Sequence, residues 1–150
     1  MRSVLQRVNY AAVRVDGIEI AHIGKGILAL VGISREDTLK DLEWMARKII
    51  ELRIFDDAEG KLNLSLHDIG GEILLVSQFT LYGDCRKGRR PSYSEAAPPA
   101  EAEKLYEKFV SVVRGLVPAV QSGKFQAMMD VELVNAGPVT LLLDSRGKPA

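Results

Sequence analysis

The hexapeptide N-A-G-P-V-T, Asn135 to Thr140, constrains the fold of this chain most, because it sets a Gly-Pro pair inside what otherwise reads as one long buried strand. Aliphatic and β-branched residues flank it, V-E-L-V before and V-T-L-L-L after. Proline gives no donor to a sheet ladder and glycine weakens a strand interior, so the run has to kink, lie at an edge or meet another molecule there. An X-Pro bond is also the peptide link that turns cis at modest cost, about 0.5–1 kcal/mol, which makes Gly137-Pro138 the place to expect it.

The rest of the chain reads as strands and two helices. Ser3 to Val15 partly alternates, Asp16-Gly17 supplies a turn, and Ile18 to Ile23 completes a hairpin signal. After Gly24-Lys25-Gly26, the run I-L-A-L-V-G-I is apolar throughout and predicts a central strand covered on both faces. Asp37 or Thr38 caps a helix whose apolar stripe is Leu39, Leu42, Met45, Ala46, Ile49 and Ile50. Asp56 to Lys61 and Gly70-Gly71 read as turns, and Glu72 to Leu81 as a buried strand that becomes polar near its end. A second amphipathic helix runs from Pro99 to Arg114, with Ala102, Leu105, Tyr106, Phe109, Val112 and Val113 on its stripe. Strands around the Gly-Pro break follow, and then a polar tail, S-R-G-K-P-A.

A chain of 150 residues reads as one domain, 1–150, able to bury roughly two-thirds of its unfolded surface. Twenty basic residues balance twenty acidic ones, so no global field draws it to nucleic acid or an anionic membrane, and any such contact has to be local. The lone cysteine, Cys85, has no partner within the chain, and His22 and His67 offer no metal-site spacing. These counts predict a cytoplasmic protein in a reducing compartment, with no signal peptide, no membrane span, no metal and no cofactor.

Three groups of residues can carry chemistry. Ser77-Gln78-Phe79-Thr80 gathers hydroxyls, an amide and backbone N–H groups where a strand gives way to a loop, an arrangement that suits acyl chemistry as well as simple turn formation. No imidazole stands in a triad motif with these hydroxyls, which points away from side-chain nucleophilic catalysis. Arg86, Lys87, Arg89 and Arg90 make the densest basic cluster, within a loop from Tyr82 to Pro99 too long for a plain connection. The cluster is either a solvated loop or a phosphate-contact patch. Phe125, Met128 and Met129 are core residues or a surface for a planar ligand such as a base, and Trp44 is core or interface.

Taken together, S-Q-F-T-L at Ser77 to Leu81 and N-A-G-P-V-T at Asn135 to Thr140 resemble the two signature motifs of the D-aminoacyl-tRNA deacylase family, also called D-tyrosyl-tRNA deacylase. V-L-Q-R-V at Val4 to Val8, R-I-F-D-D at Arg53 to Asp57, K-G-R-R-P-S at Lys87 to Ser92 and G-K-F-Q-A-M-M at Gly123 to Met129 extend the likeness over nearly the whole chain. The resemblance implies a homodimeric α/β fold of strongly curved, barrel-like β-sheets with two main amphipathic helices packed outside. It also implies proofreading hydrolysis of the ester between a D-amino acid and the acceptor end of tRNA, with glycyl-tRNA also accepted.

In that family the Gly-Pro bond is cis and enters the other subunit's active site. Gly137 and Pro138 would there meet the substrate's α-ammonium through backbone carbonyls and leave no room for an L side chain. By the same likeness, Phe125 and Met129 flank the terminal adenine and Arg7 braces the Gly-Pro loop. The reaction uses either Thr80 as nucleophile or the tRNA 2′-hydroxyl, with N–H groups near Phe79 and Thr80 holding the carbonyl oxygen; the missing base beside Thr80 favours the second. Two positions depart from the family pattern, Gln126 where glycine is usual and Ala136 where aspartate is common. The alternatives are a related deacylase with a trans Gly-Pro bond, acting on mischarged L-aminoacyl-tRNA, and a non-catalytic dimer that binds tRNA ends. Arg7 and the intact S-Q-F-T-L favour the D-specific branch.

Overall fold

One long strand, β1 (Arg2–Val15), organises the computed structural model, which describes residues 1–147 of the 150. Its first half pairs antiparallel with β3 (Gly26–Gly32) and its second half with β2 (Ile18–Ile23), while β8 (Met129–Asp144) runs antiparallel along its other side. Two register shifts near Val8 let it bend between these partners. The Asp16-Gly17 turn takes positive φ at both residues, 52° and 77°, the geometry that suits a two-residue hairpin.

Beyond β3 the sheet continues in parallel with β6 (Glu72–Ser77) and β7 (Val120–Ser122), giving the order β2-β1-β3-β6-β7 with β8 on β1. β2 folds back toward β6 and β7, so the sheet curls into a nearly closed barrel. A separate two-stranded ribbon, β4 (Phe55–Asp56) with β5 (Leu62–Leu64), follows the first helix.

Alternation along the central strands sorts side chains into two cores. Leu28, Leu74 and Val76 point with Val8, Ala11 and Val13 into the barrel. Ile27, Ala29, Val31, Ile73 and Leu75 point outward, beneath helices α1 (Leu39–Glu51) and α2 (Pro99–Arg114). Burial on both faces explains why β3 and β6 read as continuous apolar runs. Leu42, Met45, Ala46, Ile49 and Ile50 dock α1, and Ala102, Tyr106, Phe109, Val110 and Val113 dock α2. Each large one contributes about 1.5–3 kcal/mol of burial. The Thr38 N–H donates to Asp41 Oδ2 at 2.8 Å at the start of α1, and Pro99 opens α2 where no N–H is needed.

Three expectations change. The strand expected over Glu72 to Leu81 stops at Ser77, because Phe79–Tyr82 winds into a 3₁₀ turn. Leu39, expected on the apolar stripe of α1, lies exposed outside it, and Trp44, read as core or interface, is not in the core. Of the expected polar tail, Ser145 and Arg146 are anchored: the Met1 ammonium donates to Ser145 Oγ at 2.7 Å, and Arg146 Nη2 donates to Asp37 at 3.2 Å. Lys148 to Ala150 lie outside the described residues. No helix among the described residues is long and apolar enough to cross a membrane.

Candidate active site

The Gly-Pro break is a bulge in β8 with an arginine behind it. Gln6 pairs with Thr140 and Val8 with Asn135, so Ala136, Gly137, Pro138 and Val139 all stand opposite Arg7 alone. Four residues against one cannot lie flat in the ladder and have to arch away from it. The Gly137-Pro138 bond is cis, and both residues are exposed at the crest.

Arg7 is buried beneath the arch, with 8% of its surface exposed. Its guanidinium donates to Ala136 O at 3.0 Å, Gly137 O at 3.2 Å, Ile54 O at 2.8 Å and Asp56 Oδ2 at 3.3 Å. A planar fork with five donors suits four acceptors spread over two elements. Asn135 closes the arch from its other foot, its amide donating to Arg7 O at 2.9 Å and Val139 O at 3.1 Å. An asparagine ahead of Gly-Pro carried no sequence signal for this clamp beyond its turn propensity.

Ser77, Gln78, Phe79 and Thr80 stand together at the end of β6. The Gln78 N–H donates to Val31 O at 2.8 Å, the Leu81 N–H to Gln78 O at 3.3 Å and the Gly83 N–H to Thr80 O at 2.9 Å. No backbone carbonyl among the described residues accepts from the N–H groups of Phe79 and Thr80. As the first residues of the turn they are left over for another acceptor. The Thr80 hydroxyl accepts from the Gln78 side-chain amide, and among the described residues neither an imidazole nor a carboxylate bonds to it. Gly32 makes this packing possible, since a Cβ there would stand 3.1 Å from both Gln78 O and Leu81 Cβ. Arg2, not anticipated from sequence, holds the far end of the turn through Leu81 O at 3.3 Å and by lying 4.7 Å over the Tyr82 ring.

The two motifs stay apart within one chain. The arch is level with Arg7, and hence with Ile27 and Ile73 across the sheet, whereas Ser77 is four residues further along β6. That is about 13 Å along the strands and three strand spacings, about 14 Å, across them. A small ester cannot touch both.

Phe125 and Met129 serve different layers. Phe125 packs on Tyr106 of α2, ring centroids 5.8 Å apart, while Met129 packs on the barrel interior. Tyr106 donates to Leu75 O at 2.9 Å, and burial pushes its hydroxyl up to about 12, so it is a donor at neutral pH. Met128 is 89% exposed.

Gln126 takes φ 59°, the left-handed region that favours glycine, the usual residue at this position by the sequence resemblance. Gln126→Gly should raise stability by about 0.5 kcal/mol, the strain released less the freedom glycine adds to the unfolded chain. Gln126→Val should lower it by about 1 kcal/mol, since a β-branched residue fits that region worse. Thermal denaturation of the two variants checks both signs.

All four cations of the basic cluster are exposed, but they are not equivalent. Arg86 is paired with Asp84 through two bonds, 2.9 and 2.8 Å, which hold that carboxyl well below its usual range. Lys87, Arg89 and Arg90 have no carboxylate partner among the described residues. Cys85 and His67 are exposed, and His22 sits beside Glu19 at 2.9 Å. Among the described residues no cluster of three or more His, Cys, Asp or Glu could hold a metal ion.

The family described as D-Tyr-tRNA(Tyr) deacylase matches residues 4–144. The D-aminoacyl-tRNA deacylase of Desulfatibacillum aliphaticivorans is 60% identical over 146 residues, covering 97% of this chain and 100% of the relative. That of Thermosipho africanus is 59% identical, covering 97% and 98%. A solved structure named c-Myc DNA Unwinding Element Binding Protein superposes with a TM-score of 0.92 at 45% identity, with 100% of both chains covered.

Proposed function

The chain belongs to the D-aminoacyl-tRNA deacylase family, hydrolases of the ester that joins a D-amino acid to tRNA, and on that footing we propose a proofreading site composed across two subunits. The Gly137-Pro138 arch of one copy enters above the Ser77–Thr80 turn of the other. The separation of the two motifs within one chain carries this reading, since only a second copy can supply the missing half.

In the composite site, the Pro138 carbonyl and the lone pair of Gly137 O that Arg7 leaves unused receive the α-ammonium of the substrate, and the crest blocks the place of an L side chain. Selection by main chain grips only the α-carbon substituents, so many D side chains are accepted. Glycine has nothing to exclude, so glycyl-tRNA is hydrolysed as well. Water adds to the ester carbonyl with help from the 2′-hydroxyl of the terminal adenosine. The N–H groups of Phe79 and Thr80 hold the oxyanion, each worth roughly 2.7–4 kcal/mol in a well-organised site. The C–O bond to the ribose then breaks, and the water's proton passes to the departing ribose oxygen. Phe125 and Met129 border the adenine, and Arg86, Lys87, Arg89 and Arg90 face tRNA phosphates.

The test compares D-tyrosyl-, L-tyrosyl- and glycyl-tRNA. Release from the D and glycyl esters but not the L ester is expected, and equal release from D and L would sink the chirality filter. Thr80→Ala should keep activity within about tenfold, because no base accompanies its hydroxyl. Subunit mixing examines the composite site. Phe79→Pro removes one N–H at a position where proline is tolerated, and Gly137→Trp blocks the arch. Each variant alone should be inactive and their mixture active, since one of the two sites in a mixed dimer is intact.

The basic loop should contribute affinity rather than chemistry. Replacing Lys87, Arg89 and Arg90 together by Gln is expected to raise KM for tRNA about tenfold or more and to flatten its salt dependence. Arg86→Gln, which removes a cation already balanced by Asp84, should do much less.

A further inference from the structure

Two aromatic rings outside both cores lie at the neck between the Phe79–Tyr82 turn and the cationic loop. Phe79 is 58% and Tyr93 39% exposed, and neither belongs to a buried cluster. Their ring centroids are 5.1 Å apart at 69°, each fixing the other edge to face. Tyr93 lies across Gly83, where an added Cβ would stand 3.1 Å from its ring and 3.0 Å from Thr80 O. The ring is therefore within a side chain's width of the turn.

Tyr93 also directly follows the clasp that closes the cationic loop. Asp84 and Ser92 exchange two backbone bonds, 2.8 and 3.0 Å, and the residues between them carry Lys87, Arg89 and Arg90. Exposed aromatic surface between that turn and cations with no carboxylate partner among the described residues has the composition of a single-strand platform, in which bases stack while the cations follow the backbone. Stacking accepts any base, because every base presents a π-face.

We propose that Tyr93, steadied by Phe79, stacks the unpaired nucleotides that immediately precede the terminal adenosine of the substrate, with Lys87, Arg89 and Arg90 along their phosphates. The proposal rests on the deacylase reading above and adds a subsite that the ester itself does not touch. Tyr93 is a positioning residue for the RNA strand, with no part in the bond that breaks.

The experiment compares D-tyrosyl-tRNA with 3′-O-D-tyrosyl adenosine, which keeps the ester and the adenosine but lacks the preceding nucleotides. Tyr93→Ala is expected to lower kcat/KM on the tRNA about tenfold, through KM, the loss of one stacked base. Its rate on the nucleoside ester should be unchanged, and Tyr93→Phe should restore the tRNA value to within about twofold, since the π-face is kept. Equal losses on both substrates would mean that Tyr93 only shapes the turn, and no loss on tRNA would mean that no base stacks there; either overturns the proposal. Wild-type protein inactive on both esters would instead overturn the deacylase reading beneath it.

Discussion

Arg7→Ala should lower kcat/KM for D-tyrosyl-tRNA by about 100-fold or more while the barrel still folds. The four oxygens held by this guanidinium belong to two elements, the arch and the segment around β4, and among the described residues no other cation reaches Ala136 O or Gly137 O. Without it, the side-chain ties left on the arch among the described residues are those of Asn135. A misplacement of about 1 Å in a positioning element costs on the order of 100-fold in rate. The same substitution should cost about 2–3 kcal/mol of stability, the scale of hydrogen bonds to a charged group. Arg7→Lys keeps the charge but not the planar fork, so it should recover little activity. Steady-state kinetics on D and L esters, taken well below the melting temperature of each variant, separate rate from folding. An Arg7→Ala enzyme with wild-type rate and selectivity would show that the arch needs no brace.

The second large effect is on stability. Asp37 has no exposed side-chain surface and holds the Met1 ammonium at 2.7 Å, the Ser34 N–H at 2.7 Å and Arg146 at 3.2 Å. Removing one member of such a buried group leaves uncompensated charge, at a cost of about 3–5 kcal/mol. For a chain of this size, that lowers the melting temperature by roughly 10 °C. Asp37→Asn still accepts from Ser34 but leaves the ammonium and guanidinium unmatched, so it should lose most of the same stability. The consequence reaches the site, because Met1 precedes Arg2, which grips Leu81 O and Tyr82. Circular dichroism melts of both variants give the size of the effect; a loss under about 1 kcal/mol for Asp37→Ala would show that water replaces the missing carboxylate.

Local patterns made most of the framework legible. Asp16-Gly17 specified its hairpin because the type I′ form of a two-residue turn needs positive φ at both positions, which Asp-Gly tolerates. The apolar run after Gly26 announced a central strand, and both helices were visible from their stripes. The end of β6 was not, because a polar strand end and a 3₁₀ turn have the same composition. Nor was the division of labour in the basic cluster legible, since pairing Arg86 with Asp84 depends on how the loop folds back. Phe125 and Met129, four apart in sequence, join opposite layers because the sheet edge passes between them.

The sequence by itself determined that β8 had to break at Gly137-Pro138, since a missing donor and a missing side chain are properties of the residues. Register is decided by pairings between distant strands, so only the tertiary structure placed four residues opposite Arg7 and put its guanidinium on their carbonyls. The same pairings hold the arch away from the Ser77–Thr80 turn, and this separation is the observation on which the proposed two-subunit site rests.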